Sequence, residues 1–60
     1  MELINYINLK VKIILSNKYY YIGKVTNADE SSLDLIDING KRVSVSKAAI
    51  LQIQEVSNGV

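Results

Sequence analysis

The sequence contains no cysteine, no histidine and no proline, and each absence removes a class of structure or chemistry. Without cysteine no disulfide can staple so short a chain, and without cysteine or histidine a structural metal loses its usual ligands. The same absences remove the commonest nucleophile and general base, and no serine lies in a nucleophile-elbow context. An enzyme is therefore not expected, and no catalytic residue, metal site, cofactor or small-molecule substrate is assigned. No glycine-rich loop is present to cradle a phosphate. No proline-rich linker, low-complexity tract or internal repeat divides the chain, so residues 1–60 read as one domain. Nothing approaches the ~20 apolar residues of a membrane span. The opening MELINYIN has an early Glu2 and no basic region of the kind that begins a signal peptide. The expected setting is cytoplasmic, away from membranes.

What is present is a chain of 60 residues, 48% of them hydrophobic, with seven basic and six acidic side chains and a net charge of +1. A domain of this size buries only about 60% of the surface its unfolded form exposes, so stability is scarce. With staples and metals excluded, association remains as the remedy, and the apolar surplus points to a homo-oligomer. The near-zero net charge gives no general attraction to nucleic acid, so any such binding has to be local.

Along the chain, Leu3, Ile4 and Ile7 fall at helical spacing, which predicts a short helix over about 1–8 resting that face on the rest of the fold. From Leu9 the period changes to two. Alternation predicts strands over about 9–16, 19–28, 32–39, 41–46 and 50–56. Ile14 falls on the outer face of the first strand, which implies that this face is covered too. The break Ser16-Asn17-Lys18 suits a tight hairpin, and Asn39-Gly40 between two strand-like runs predicts a type I′ turn. Gly23 in the second strand permits a sharp bend or a close backbone approach. Val43 and Val45 point inward. In the last strand Leu51 and Ile53 share a face against Gln52 and Gln54, although Ile50 and Val56 leave its facing ambiguous. Residues 57–60 read as a frayed tail. The fold class is all-β, a five-stranded, strongly bent antiparallel barrel of SH3-like or Sm-like type with a short N-terminal helix.

Leu15, Asn17, Gly23, Val25 and Asp29 occupy the positions and spacing of a five-residue motif, after a helix and within five strands. In this the chain resembles the Sm-like family of small β-barrels, the Lsm and Hfq type, over nearly its whole length. The resemblance implies a hexameric or heptameric ring in which the fourth strand of one subunit pairs with the fifth of the next. Val43, Val45, Ile50 and Ile53 would then lie at the subunit interface. It also implies single-stranded RNA at the pore-side loops, with Lys47, Ser31 and Ser32 there and Tyr6 on the helix as a stacking residue. Where the family's uridine readers carry Met-Asn and Arg-Gly pairs, this chain has Ser31-Ser32-Leu33 and Ser46-Lys47-Ala48, and the Tyr-Lys-His motif is absent.

Other candidates have plainer readings beside the functional ones. Tyr19, Tyr20 and Tyr21 suit base stacking, but aromatics in strands mostly pack. Lys10, Lys12, Lys18 and Lys24 could contact phosphates, but exposed strand lysines also simply keep an edge soluble. Asp29 is a typical turn residue, and Asp34 and Asp37 point to opposite faces, which disfavours a shared metal. The expected function is a ring-forming RNA-binding protein. The alternatives are a protein-protein scaffold ring without RNA, or a monomeric SH3-like or Tudor-like module binding DNA or peptide.

Overall fold

The structure, a computed structural model, describes residues 2–56. Met1, at the head of the expected helix, and the expected frayed tail 57–60 lie outside the described residues. Five strands, β1 (Lys10–Leu15), β2 (Tyr20–Ala28), β3 (Ser32–Asp37), β4 (Arg42–Ser46) and β5 (Ile50–Glu55), form one antiparallel sheet in the order β4-β3-β2-β1-β5. All five strands expected from alternation are present, trimmed at their ends. Every consecutive pair from β1 to β4 is a hairpin, and β5 returns to the far side of β1 after a 3-10 turn at Lys47–Ala49.

One face of this sheet makes the core. Val11 and Ile13 of β1, Val25 of β2, Leu33 and Leu35 of β3, Val45 of β4 and Ile50 of β5 are buried there, and Leu3 covers them from the N-terminus. Two irregularities set which residues join it. An extra residue at Thr26 shifts the β2–β3 register between Val25 and Asn27, so that Val25 and Ala28 both face inward, opposite Leu35 and Leu33. A second shift opposite Ile14 and Leu15 puts Ile50 and Ile53 on the core side and leaves Leu51 65% exposed. The expected pairing of Leu51 with Ile53 on one face is therefore corrected, because strict alternation cannot see a bulge.

Gly23 is where β2 changes partners. Residues 20–24 pair with β1, and residues 23–28 pair with β3. A Cβ at Gly23 would collide with the Ile36 carbonyl oxygen and stand 2.7 Å from the Asp37 Cα, so only glycine fits there.

The expected helix over 1–8 is not formed. Leu3–Tyr6 make a single 3-10 turn with no side-chain cap, and Asn8 ends it in the left-handed region (φ 71°) while donating its N–H to the Val25 carbonyl at 2.8 Å. Two helical turns cannot meet their nucleation cost alone, and a backbone bond to β2 outcompetes the next helical one. Of the expected face, Leu3 is buried and Ile7 half-buried, but Ile4 is exposed.

The Asn39-Gly40 turn is also corrected. Asn39 has no positive φ. Instead the Gly40 N–H closes a type I turn on the Asp37 carbonyl at 2.9 Å, and Gly40 alone takes the left-handed conformation (φ 82°). The Asp37 carboxylate stabilises the loop by accepting the N–H groups of Asn39 and Lys41 at 2.8 and 3.0 Å, which a type I′ turn would not need. The β1–β2 hairpin is built the same way, with the Lys18 N–H on the Leu15 carbonyl at 2.9 Å and Lys18 at φ 74°.

Two of the four expected interface side chains belong to the chain's own core. Val45 is 5% and Ile50 8% exposed, so neither has side-chain surface left for a neighbour. Val43 on β4 and Ile53 on β5 are half-buried and keep part of theirs.

The two hairpins carry an internal comparison, since Lys18 bears the left-handed strain that Gly40 avoids. Lys18→Gly is expected to stabilise the fold by ~0.5–1 kcal/mol and raise Tm by a few degrees. Gly40→Ala, where no atom blocks the new Cβ, is expected to cost about 1 kcal/mol from backbone conformation alone. Thermal melts of the two variants beside the parent check both signs.

Candidate nucleic-acid interface

The expected RNA-binding residues lie around the turn joining β2 to β3. Asp29 organises it: its carboxylate accepts the N–H of Ser31 at 2.8 Å, the N–H of Ser32 at 2.9 Å and the Ser31 hydroxyl at 3.1 Å. These bonds favour the charged form, and the backbone N–H of Ser31, then that of Ser32, hold the Asp29 carboxyl below the usual carboxylate range. The chain entering the second 3-10 turn docks on this loop, because the Lys47 N–H donates to the Ser31 carbonyl at 2.8 Å and Ser32 pairs with Ser46 across β3 and β4. Ser31, Ser32 and Lys47 are thus brought together. Tyr6 is half-buried against the core and does not line the concavity beside them.

That concavity is lined by Glu2, Leu3, Ile4, Asp29, Glu30 and Lys47. Three carboxylates surround one ammonium, so the local field repels a phosphate. The Ser31 hydroxyl is also already engaged by Asp29. The chemistry of this loop is that of a well-bonded turn, and it opposes the role that Lys47, Ser31 and Ser32 were expected to fill.

The sheet face opposite the core is different. Residues directly opposed across an antiparallel ladder share a face, and the register places Lys10 opposite Lys24, Lys24 opposite Ile36, and Ile36 opposite Arg42. One row therefore crosses β1, β2, β3 and β4 carrying cations at three of its four positions. Lys12, one step along β1 on the same face, holds its ammonium 4.8 Å from the centre of the Tyr20 ring. Asp34 of β3 lies diagonal to Arg42 on this face. The tyrosines divide accordingly: Tyr21 packs against the core opposite Ile13, while Tyr20 and Tyr19 are 58% and 72% exposed. Ile14, whose outer position implied a cover, is half-buried between Tyr20 and Gln52 on the flanking strands.

Arg42 and Ile36 were not among the expected site residues. The row emerges only when the registers of three hairpins are combined, and nothing in the linear spacing of Lys10, Lys24 and Arg42 announces it. Among the described residues no three His, Cys, Asp or Glu side chains cluster as metal ligands, and no helix is long and apolar enough to cross a membrane.

A depressed carboxyl stabilises the fold above its unfolded-state pKa and loses that contribution as pH falls through the folded-state value. Asp29 should therefore contribute at neutral pH and cease to on acidification. Asp29→Asn is expected to lower Tm at neutral pH, with the gap to the parent shrinking as the acid limb is reached. Paired melts across a pH series measure that gap, and a constant gap would refute the assignment. No family model matches the chain, and no curated protein matches it significantly; what its surfaces bind has to be read from their geometry.

Proposed function

We propose that this chain is a binding module of Sm-like type. Its sheet curls into a small barrel, copies associate through β4 and β5 into a closed ring of six or seven, and the ring binds single-stranded RNA. The observation that carries this reading is the strand order. Among the described residues, β4 and β5 stand at opposite ends of the sheet with one ladder partner each, and the buried apolar core numbers eight. An unpaired edge is a template for another strand, and joining β4 of one copy to β5 of the next satisfies both edges with a single repeated contact. Val43 and Ile53 stand on those edges with apolar area still exposed. The same contact offsets the deficit of a small unstapled core.

Binding of RNA is supported by cations gathered with the exposed Tyr20 on one face of a nearly neutral chain. A ring presents that face several times, so contacts that are weak singly combine.

Light scattering is expected to give a mass near six or seven times the 6.7 kDa subunit. Val43→Lys and Ile53→Lys should each reduce it to the subunit mass with the strand signal retained, because a lysine stem covers the same apolar area while its ammonium reaches water only in a free edge. A parent protein that scatters as a monomer rejects the ring. Titration of labelled oligo-U and mixed-sequence RNA at low salt tests the ligand, and an unchanged anisotropy there would leave a scaffold without RNA.

A further inference from the structure

The acidic setting of the Lys47 loop and the cation row on the sheet point to different surfaces for a polyanion, and the physical case favours the row. We infer that the outer sheet face along Lys10, Lys24, Ile36 and Arg42 is a single-strand nucleic-acid groove, in which the sugar-phosphate backbone runs across the strands. This rests on the RNA-binding reading above and assigns it a surface.

Three observations carry it. The first is a violated local rule. Lysines directly opposite one another in an antiparallel pair destabilise it, yet Lys10 faces Lys24, and the next residue in the row is the neutral Ile36. Such a local violation marks a candidate functional position, and an anion between the two ammonium groups would relieve the repulsion. The second is shape. Asn8, Lys10, Gly23, Lys24, Ile36 and Ile38 line a concavity of about 530 Å³, with cations on one side and the two isoleucines, 39% and 68% exposed, on the other. Phosphates fit the charged side, and a sugar or base edge fits the apolar one. The third is spacing. Strands lie ~4.8 Å apart, so Lys10 to Arg42 crosses three strand intervals, about 14 Å, which matches a backbone engaged at successive phosphates rather than one isolated anion.

An anionic membrane is the competing polyanion. A membrane-binding surface projects its apolar groups beyond its cations into the acyl boundary. Here Ile36 and Ile38 share an open concavity with Lys10 and Lys24, so apolar and cationic groups lie side by side, which favours a strand of nucleic acid. Lys12 and Tyr20, on the same face, lie one ladder step and two from Lys10 and Lys24, where a base leaving the groove can stack on the tyrosine.

The test is anisotropy titration of the full chain with a labelled mixed-sequence RNA oligonucleotide over a series of salt concentrations. The variants are Lys10→Gln/Lys24→Gln/Arg42→Gln, Lys47→Ala and Lys41→Gln. The triple variant removes mutual repulsion and so keeps its fold, which circular dichroism and melting verify. It is expected to weaken binding by roughly tenfold or more and to lower the salt slope by about 2, three lost phosphate contacts at about 0.7 each. Lys47→Ala and Lys41→Gln are each expected to have the smaller effect of one charge outside the row. If the triple variant binds like the parent, or Lys47→Ala falls as far, the groove is overturned while RNA binding stands. If the parent binds no oligonucleotide at low salt, RNA binding itself is overturned, and co-sedimentation with phosphatidylserine vesicles in that case assigns the face to lipid.

Discussion

At Gly23 the backbones of β2 and β3 approach so closely that no side chain fits between them. Much of the architecture follows from that contact. A single nine-residue strand serves two partners, β1 along its first half and β3 along its second, and the handover falls at Gly23 and Lys24. If β2 had a side chain there, β3 would be displaced, and Leu35 and Leu33 would lose their place opposite Val25 and Ala28. The same contact brings Lys24 level with Ile36 and so aligns the outer row. One missing methyl group thus fixes the core on one face and the charge pattern on the other.

A core of eight among the described residues leaves little margin, and hydrogen bonds to backbone groups hold the joints. The N-terminal turn is sealed by Asn8 on Val25, the β2–β3 turn by Asp29, the β3–β4 turn by Asp37, and the last connection by Lys47 on Ser31 and Ser16 on Ala49. Each fixes the geometry of a joint, those of Asp29 and Asp37 at the exposed surface. None of them substitutes for apolar burial, which is why the two open edges matter so much to the proposed assembly.

How far this could be read from the sequence depended on the range of the interaction. Period-two alternation located all five strands, and the glycine in β2 marked a sharp bend or a close approach, of which the approach is seen, because both readings are local consequences of side-chain placement. The N-terminal segment failed because Leu3 and Ile7 have helical spacing while the deciding bond runs from Asn8 to Val25, far along the chain. Asn39-Gly40 failed because Asp37, two residues upstream, supplies a carboxylate that stabilises a different turn. The site was less legible than the fold. Given the loops at residues 16–18 and 38–40, the pairings of Lys10 with Lys24 and of Ile36 with Arg42 follow by counting outward. The link between Lys24 and Ile36 does not, because the bulge at Thr26 breaks the count from the β2–β3 turn.

Net charge was the least informative quantity of all, and the structure explains why. The acids Glu2, Asp29 and Glu30 gather at one concavity, while Lys10, Lys12, Lys24 and Arg42 gather on the sheet's outer face. With a Debye length of ~8 Å at physiological salt, a ligand approaching either surface responds to the charges beside it and little to those on the far side of the sheet. A total of +1 therefore describes neither surface. Repetition around a closed ring would stack like upon like, giving an acidic circle and a basic one from a subunit that is almost neutral. The basic row depends on register: with β3 moved one residue along β2, Asp37 or Leu35 would replace Ile36 beside Lys24, and the row would no longer reach Arg42.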